Sequence, residues 1–178
     1  MKLKIGVVIP CYRVSENINK VLKKIPKFID NIYIIDDNCP EKSYLKVKKK
    51  KNYNFIIRKE NGGVGAAVKD GYLKSIKDLN DIVVRIDGDG QMDPKLIKKF
   101  IKPIIYKKAE FTKGNRLSSK LINLKMPIGR NLGNIFFSIL GRVSTGNYKI
   151  FDFLNGYTAI NLKALKLIKK DFNKIDND

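Results

Sequence analysis

"VVRIDGDGQMDP", residues Val83 to Pro94, joins a run of β-formers to three aspartates, two glycines and a glutamine. The chain carries 37 Lys and Arg against 17 Asp and Glu, so crowding carboxylates here is unusual. Close carboxylates repel unless a positive charge sits between them. The stretch therefore asks for a cation at the end of a strand. Asp87 and Asp89 are two apart, and an extended backbone sends such residues to one face about 7 Å apart. Gly88 and Gly90 clear side chains where a ligand must approach the backbone. Gln91 adds a neutral oxygen. Hard oxygen ligands select magnesium or manganese, usually completed by substrate phosphates. A calcium EF-hand loop does not fit, because Met92 stands where its glycine belongs and Lys98 where its glutamate belongs.

Outward from this stretch, strands alternate with helices. "KIGVVIP" reads as a buried parallel strand. Ser15 is the expected cap of the next helix, in which Ile18, Val21, Leu22 and Ile25 share one face. "NIYIIDD" and "NFIIRKE" are the second and third strands, separated by the basic segment "YLKVKKKKN", read as a solvated helix and loop. A helix follows with Val64, Val68, Tyr72 and Ile76 every four residues. "DIVVRID" is the fourth strand. Asp93 and Pro94 form a cap and first-turn pair for "KLIKKFI". "EFTKGNRL" reads as a short strand and turn, Leu132 to Val143 as an apolar helix, and "YTAINL" as a last strand. The pattern predicts an α/β fold with a parallel sheet covered by helices on both faces.

The 178 residues suit one domain, and 43% hydrophobic content is enough for a core. The net charge of +20 has two readings, a compositional habit or an anionic partner such as a nucleotide or an acidic lipid surface. Cys11 and Cys39 have no spacing pattern and the chain has no histidine, which argues against a zinc site or disulfide scaffold and for a reducing compartment. The apolar run in "MKLKIGVVIPCY" is too short for a signal peptide, and none reaches the roughly 18 residues of a membrane span. No helix-turn-helix or ribonucleoprotein motif is present, so a nucleic-acid partner is not expected.

Ligands of open α/β sheets bind beyond the carboxyl ends of the strands. Those ends carry Pro10-Cys11-Tyr12-Arg13, Asp36-Asp37, Glu60-Asn61-Gly62-Gly63 and Asp87-Gly88-Asp89-Gly90-Gln91. Polar and acidic groups thus converge on one edge. The loop "NGGVGAAVKDGY" has two readings: a phosphate cradle at a helix N-terminus, or close helix–sheet packing through Gly65, Ala66 and Ala67. It fits neither the dinucleotide fingerprint nor a Walker loop.

Seven pieces in order, "VVIPCYR", "IIDDNCP", "ENGGVGAAVKDGY", "IDGDGQMDP", "GNRL", "MPIGRNLGN" and "DFLNGYTAI", resemble the family 2 glycosyltransferases. The likeness is to their dolichyl-phosphate mannose and glucose synthase-like branch. It implies a three-layer α/β sandwich with a mostly parallel sheet, the glycosyltransferase A (nucleotide-diphospho-sugar transferase) fold. It also implies that Pro10, Tyr12, Arg13 and Glu16 lie at the nucleotide, with Asp37 accepting from a ring N–H of the base. Asp87 and Asp89, with Gln91, would hold a magnesium or manganese ion and the donor diphosphate, beside Gly65 of the glycine loop. Arg116 and Arg130 would meet phosphate of donor or acceptor. Asp152 falls at the acceptor-side aspartate, as the candidate base for a hydroxyl acceptor. Phe153 and Leu154 depart from the Pro-Gln common in that branch.

The function so implied is inverting transfer of a sugar from a UDP- or GDP-sugar donor to a polyprenyl phosphate or a cell-surface glycan precursor. The place is cytoplasmic, at the inner face of a membrane through peripheral contact. The family's domain continues past "NGYTAI", so a single domain over 1–178 lacking its C-terminal part is expected. Two rivals remain: a nucleotidyltransferase, which would want a glycine-rich loop where "PCYRVSEN" has none, and a non-catalytic nucleotide-binding remnant.

Overall fold

The computed structural model describes residues 2–115, 146, 152 and 155–172. Its centre is β1 (Ile5–Cys11), all seven residues of which are buried. A strand of β-branched residues without alternating polar positions suits a sheet covered on both faces. On one side β1 pairs in parallel with β2 (Asn31–Asp36), and β2 with β3 (Tyr53–Ile57). On its other side β1 pairs in parallel with β4 (Ile82–Arg85). Antiparallel β6 (Thr158–Asn161) and β5 (Phe111–Lys113) extend that side, giving the order β3-β2-β1-β4-β6-β5. The mostly parallel sheet is thus as expected, with two antiparallel strands at one side.

Alternation along the strands splits the core into two layers. Val7, Ile9, Ile34 and Val84 pack beneath α1 (Ile18–Lys24) and α3 (Ile97–Ile105), with Ile18, Val21, Leu22, Ile97, Ile101 and Ile104. Val8, Tyr33, Ile35, Val83 and Ile160 pack beneath α2 (Gly63–Lys77) and α4 (Leu162–Ile168), with Ala67, Val68, Tyr72 and Leu165.

Helix starts follow local hydrogen bonding, and one differs from the sequence reading. Ser15 does not cap α1: the cap position is Asn17, and the Ser15 hydroxyl instead pairs with that of Ser43 at 3.1 Å. The chain leaves β1 through Arg13 at φ 53°, and the Val14 carbonyl accepts from both Asn17 and Ile18, which moves the helix start past Ser15. Asp93 does cap, its carboxylate accepting from the Lys95 N–H at 3.1 Å, although a 3₁₀ turn, Pro94–Leu96, precedes α3. The basic segment forms one 3₁₀ turn, Ser43–Lys46, and then loop.

The glycine loop is also redistributed. Close packing does not run through Gly65, whose position has nothing within 4 Å of an added Cβ. It runs through buried Ala67 and through Gly71, where a Cβ would stand 2.5 Å from Val8 Cγ1 and 3.0 Å from Ile35 Cδ1. Gly71 therefore lets α2 lie directly on β1 and β2. Gly71→Ala is expected to destabilise the fold by about 1–3 kcal/mol through overpacking. Gly65→Ala, in an open helical position, is expected to be neutral or to stabilise by up to about 1 kcal/mol. Urea denaturation of the two variants against wild type checks both signs.

Candidate functional site

From β1 the chain runs to β2 and β3 on one side and then returns to β4 on the other. The strand order therefore reverses at β1, which opens a crevice beyond the carboxyl ends of β1 and β4. A cavity of about 410 Å³ lies there. Pro10, Cys11, Tyr12 and Val14 line it from the end of β1, and Asp87, Gly88 and Asp89 from the end of β4. Asp37 enters from β2, and Asn61, Gly63, Val64 and Ala67 from the loop and first turns of α2. Val64, expected on the apolar helix face, is 54% exposed and belongs to this wall.

Asp87 and Asp89 meet in the cavity by a different route from the one expected. They do not share an extended face: the strand ends at Arg85, and the chain turns at Gly88 and Asp89. Gly88 is tightly enclosed, since a Cβ would lie 3.2 Å from Val14 Cγ2 and 3.4 Å from the Pro10 carbonyl. Gly90 takes φ 82°, a conformation open to glycine. Asp89 Oδ1 accepts from the Gln91 N–H at 2.9 Å, which closes the turn. Asp87 Oδ1 is 3.2 Å from Arg85 Nη2. Gly156 packs on that ion pair: a Cβ there would lie 2.8 Å from Arg85 Nη2 and 3.0 Å from Asp87 Oδ2.

Two carboxylates at a turn suit a small dication that draws its other ligands from a diphosphate and water. Among the described residues no group of three or more acidic, cysteine or histidine side chains could hold a metal ion. Asp87 and Asp89 are the residues that fit such an ion.

Beside β2, Asp36 and Asp37 differ sharply. Both are buried, at 2% and 3% exposure. Asp37 Oδ1 accepts from Arg58 Nη1 at 2.5 Å and from the Gly62 N–H at 3.1 Å. Arg58 Nε in turn donates to Asp70 Oδ2 at 2.8 Å. Asp36 Oδ2 accepts from the Cys39 N–H at 3.1 Å, and its Oδ1 has no partner. Burial raises the pKa of Asp36; the Cys39 N–H opposes that rise and the charge of Asp37 adds to it. Burial, and then the charge of Asp36, also pushes the Cys11 thiol far above its ordinary value, so it is an inert wall residue. Cys11 and Cys39 are both free and buried.

The other expected site residues lie around the cavity or away from it. Tyr12 is 44% exposed in the wall, with the Arg13 guanidinium 5.5 Å from its ring centroid. Arg13, Glu16 and Gln91 are exposed and Gly65 sits in the first turn of α2, and none of the four lines the cavity. Asp152 is 1% exposed and also outside the lining. Arg116, Arg130 and the expected helix at 132–143 lie outside the described residues. Sequence reading passed over Arg58, Arg85 and Gly156. A signal existed for the two arginines, each a charge at the end of an apolar strand, in "FIIRKE" and "IVVRID".

A three-layer sandwich with a polar cavity at its strand-order reversal defines an α/β transferase domain of the glycosyltransferase A type. The chain belongs to glycosyl transferase family 2, whose family model matches residues 6–168. One relative, the UDP-N-acetylglucosamine–dolichyl-phosphate N-acetylglucosaminyltransferase of Methanococcus voltae, is 30% identical over 93% of this chain and 72% of its own length. The dolichol-phosphate mannosyltransferase of Pyrococcus furiosus is 24% identical over 92% of this chain and 48% of its own. Among solved structures, glucosyl-3-phosphoglycerate synthase of Mycobacterium tuberculosis, in complex with Mn²⁺ and UDP-glucose, superposes with a TM-score of 0.68. It covers 98% of this chain and 66% of its own, and at 15% identity it speaks to the fold alone.

Two expectations follow from the buried charges. The folded chain holds the Asp36 proton more tightly than the unfolded chain, whose value is near the ordinary 3.8. The stability Asp36 contributes is thus present at low pH and lost as pH rises through its raised pKa. Asp36→Asn is expected to gain stability relative to wild type as pH rises above the ordinary 3.8, read by urea denaturation at a series of pH values. Gly156→Ala is expected to cost at most about 1 kcal/mol by shifting the side-chain ends of Arg85 and Asp87, read the same way at neutral pH.

Proposed function

We propose that the chain is a metal-dependent, inverting glycosyltransferase that moves a sugar from a nucleoside-diphosphate donor to a polyprenyl phosphate. The observation that carries this reading is the meeting of Asp37, Asp87 and Asp89 with Pro10 and Tyr12 in one cavity at the strand-order reversal. Tyr12 offers an exposed ring for a base to stack on. Asp37 accepts a ring N–H. Asp87 and Asp89 would hold a magnesium or manganese ion, with Gln91 in the same turn, and such an ion would supply positive charge against that building on the departing diphosphate.

The chain's own groups do the rest. The N-terminus of α2 supplies Gly63 and Val64 to the cavity wall, and a helix N-terminus favours phosphate oxygens. Arg116 and Arg130 add charge for donor or acceptor phosphate. Displacement at the anomeric carbon passes through an oxocarbenium-like state, and a single displacement inverts its configuration. A hydroxyl acceptor would need a base, for which Asp152 is the candidate. A lipid phosphate is already ionised and needs placement rather than deprotonation. The burial of Asp152 outside the cavity lining supports the phosphate acceptor, as does the name of the Methanococcus relative. Among the described residues no helix is long and apolar enough to cross a membrane. The net charge of +20 favours an anionic membrane surface, at its cytoplasmic face.

Thermal stabilisation by UDP and GDP, with and without manganese, tests the site. Wild type is expected to gain a metal-dependent upward shift in Tm that Asp89→Ala abolishes. Asp89→Ala is also expected to lower the sugar-transfer rate by a hundredfold or more, about 3 kcal/mol in the barrier. Stabilisation without transfer to any polyprenyl phosphate would replace this reading with a nucleotide-binding remnant.

A further inference from the structure

We propose that Arg58 sets the base specificity of this site, admitting uracil and rejecting guanine and cytosine. The inference rests on the nucleotide-sugar reading above and deepens it. A carboxylate offers two oxygens and roughly four acceptor positions. On Asp37, Oδ1 is filled twice, by Arg58 Nη1 at 2.5 Å and the Gly62 N–H at 3.1 Å. Oδ2 takes part in neither bond, and Asp37 lines the cavity, so Oδ2 is the oxygen left for a base to meet. A base therefore finds one free acceptor rather than two.

Arg58 is not placed to release the other. Its Nε is held by Asp70 Oδ2 at 2.8 Å, so the guanidinium is pinned between a carboxylate on α2 and one at the end of β2. It also lies over Gly62, where an added Cβ would meet Nη2 at 3.0 Å. The absence of a side chain at Gly62 is what lets the guanidinium reach Asp37.

The bases differ in what they present to such a group. Guanine offers two adjacent donors, N1–H and the exocyclic amine, which match both oxygens of a carboxylate. Here the second donor would face an oxygen already filled and the two donors that fill it. A donor left unpaired in a closed site is costly. Cytosine presents a bare ring nitrogen, an acceptor, to Oδ2. Uracil offers one donor, N3–H, between two carbonyls. That donor meets Oδ2, and the neighbouring carbonyl faces the side of Arg58, whose Nη2 bonds neither Asp37 nor Asp70. Sites built around such a pattern discriminate strongly against an edge that leaves groups unpaired.

The test is calorimetric titration of the whole chain with UDP, GDP and CDP in the presence of manganese. Wild type is expected to bind UDP at least about tenfold more tightly than either of the others. Arg58→Gln removes the guanidinium from Oδ1, leaving the Gly62 N–H as its one remaining partner, and is expected to bring the UDP-to-GDP ratio towards one. Asp70→Asn loosens the guanidinium without touching Asp37 and is expected to move the ratio the same way by less. A general loss of structure would weaken all three nucleotides and leave their ratio alone. GDP binding as tight as UDP in wild type would overturn the base assignment while the nucleotide site stood. An unchanged ratio in a folded Arg58→Gln or Asp70→Asn would remove Arg58 from the role. Failure of every nucleotide to bind would remove both this inference and the reading beneath it.

Discussion

Everything at the site depends on β1 being hydrogen-bonded in parallel on both sides. Its register sets Cys11 beside Asp36 and Val8 beside Arg85. The ends of three strands therefore finish on one edge, and the segments that leave them have to share the same space. Seven buried residues hold β1 in place, with one set under each helical layer. A one-residue slip would swap those sets between layers and turn every apolar side chain to the wrong face. The packing of the core is thus also what fixes where Tyr12, Asp37 and Asp87 stand.

The crowding of carboxylates in a strongly basic chain has a physical answer that differs from one aspartate to the next. Asp37 is neutralised by Arg58, which Asp70 also holds. Asp87 is paired with Arg85. Asp89 is engaged by its own turn. Asp36 keeps a fully buried oxygen without a partner, and burial raises its pKa. Only for Asp37 do the partners come from distant sequence, Arg58 and Gly62; those of Asp36, Asp87 and Asp89 lie within three residues.

That distinction also marks how much was legible beforehand. Strands such as "KIGVVIP" and "NIYIIDD" were readable because buried parallel strands are continuously apolar. The position of Asp37 and Asp87 at strand ends followed from the same reading. The cavity's chemistry was less so. Ser15 looked like a cap, but an Arg13 in a left-handed conformation moves the helix start beyond it. Gly65 looked like the packing glycine, yet Gly71, six residues further along the helix, makes the close approach. Asp87 and Asp89 were expected on an extended face, and a turn brings them together instead. Gly156 acts on Arg85 and Asp87 across about seventy residues of chain, and no local pattern carries such a contact.

The two arginines divide the cavity between them. Arg58 is held at 2.5 Å and 2.8 Å by two carboxylates on separate elements, so its geometry is over-determined. Arg85 has one ion pair, at 3.2 Å, and a buried Nε with no partner. Of the two carboxylates they serve, Asp37 is the one locked in place and Asp87 the one whose present partner is the weaker hold. Under the proposed function this is the order that recognition needs. The end that reads a base gains from rigidity, because discrimination depends on donors and acceptors that cannot rearrange. The end that takes up a cation has to exchange one positive neighbour for another, and a single long ion pair is the easier one to give up.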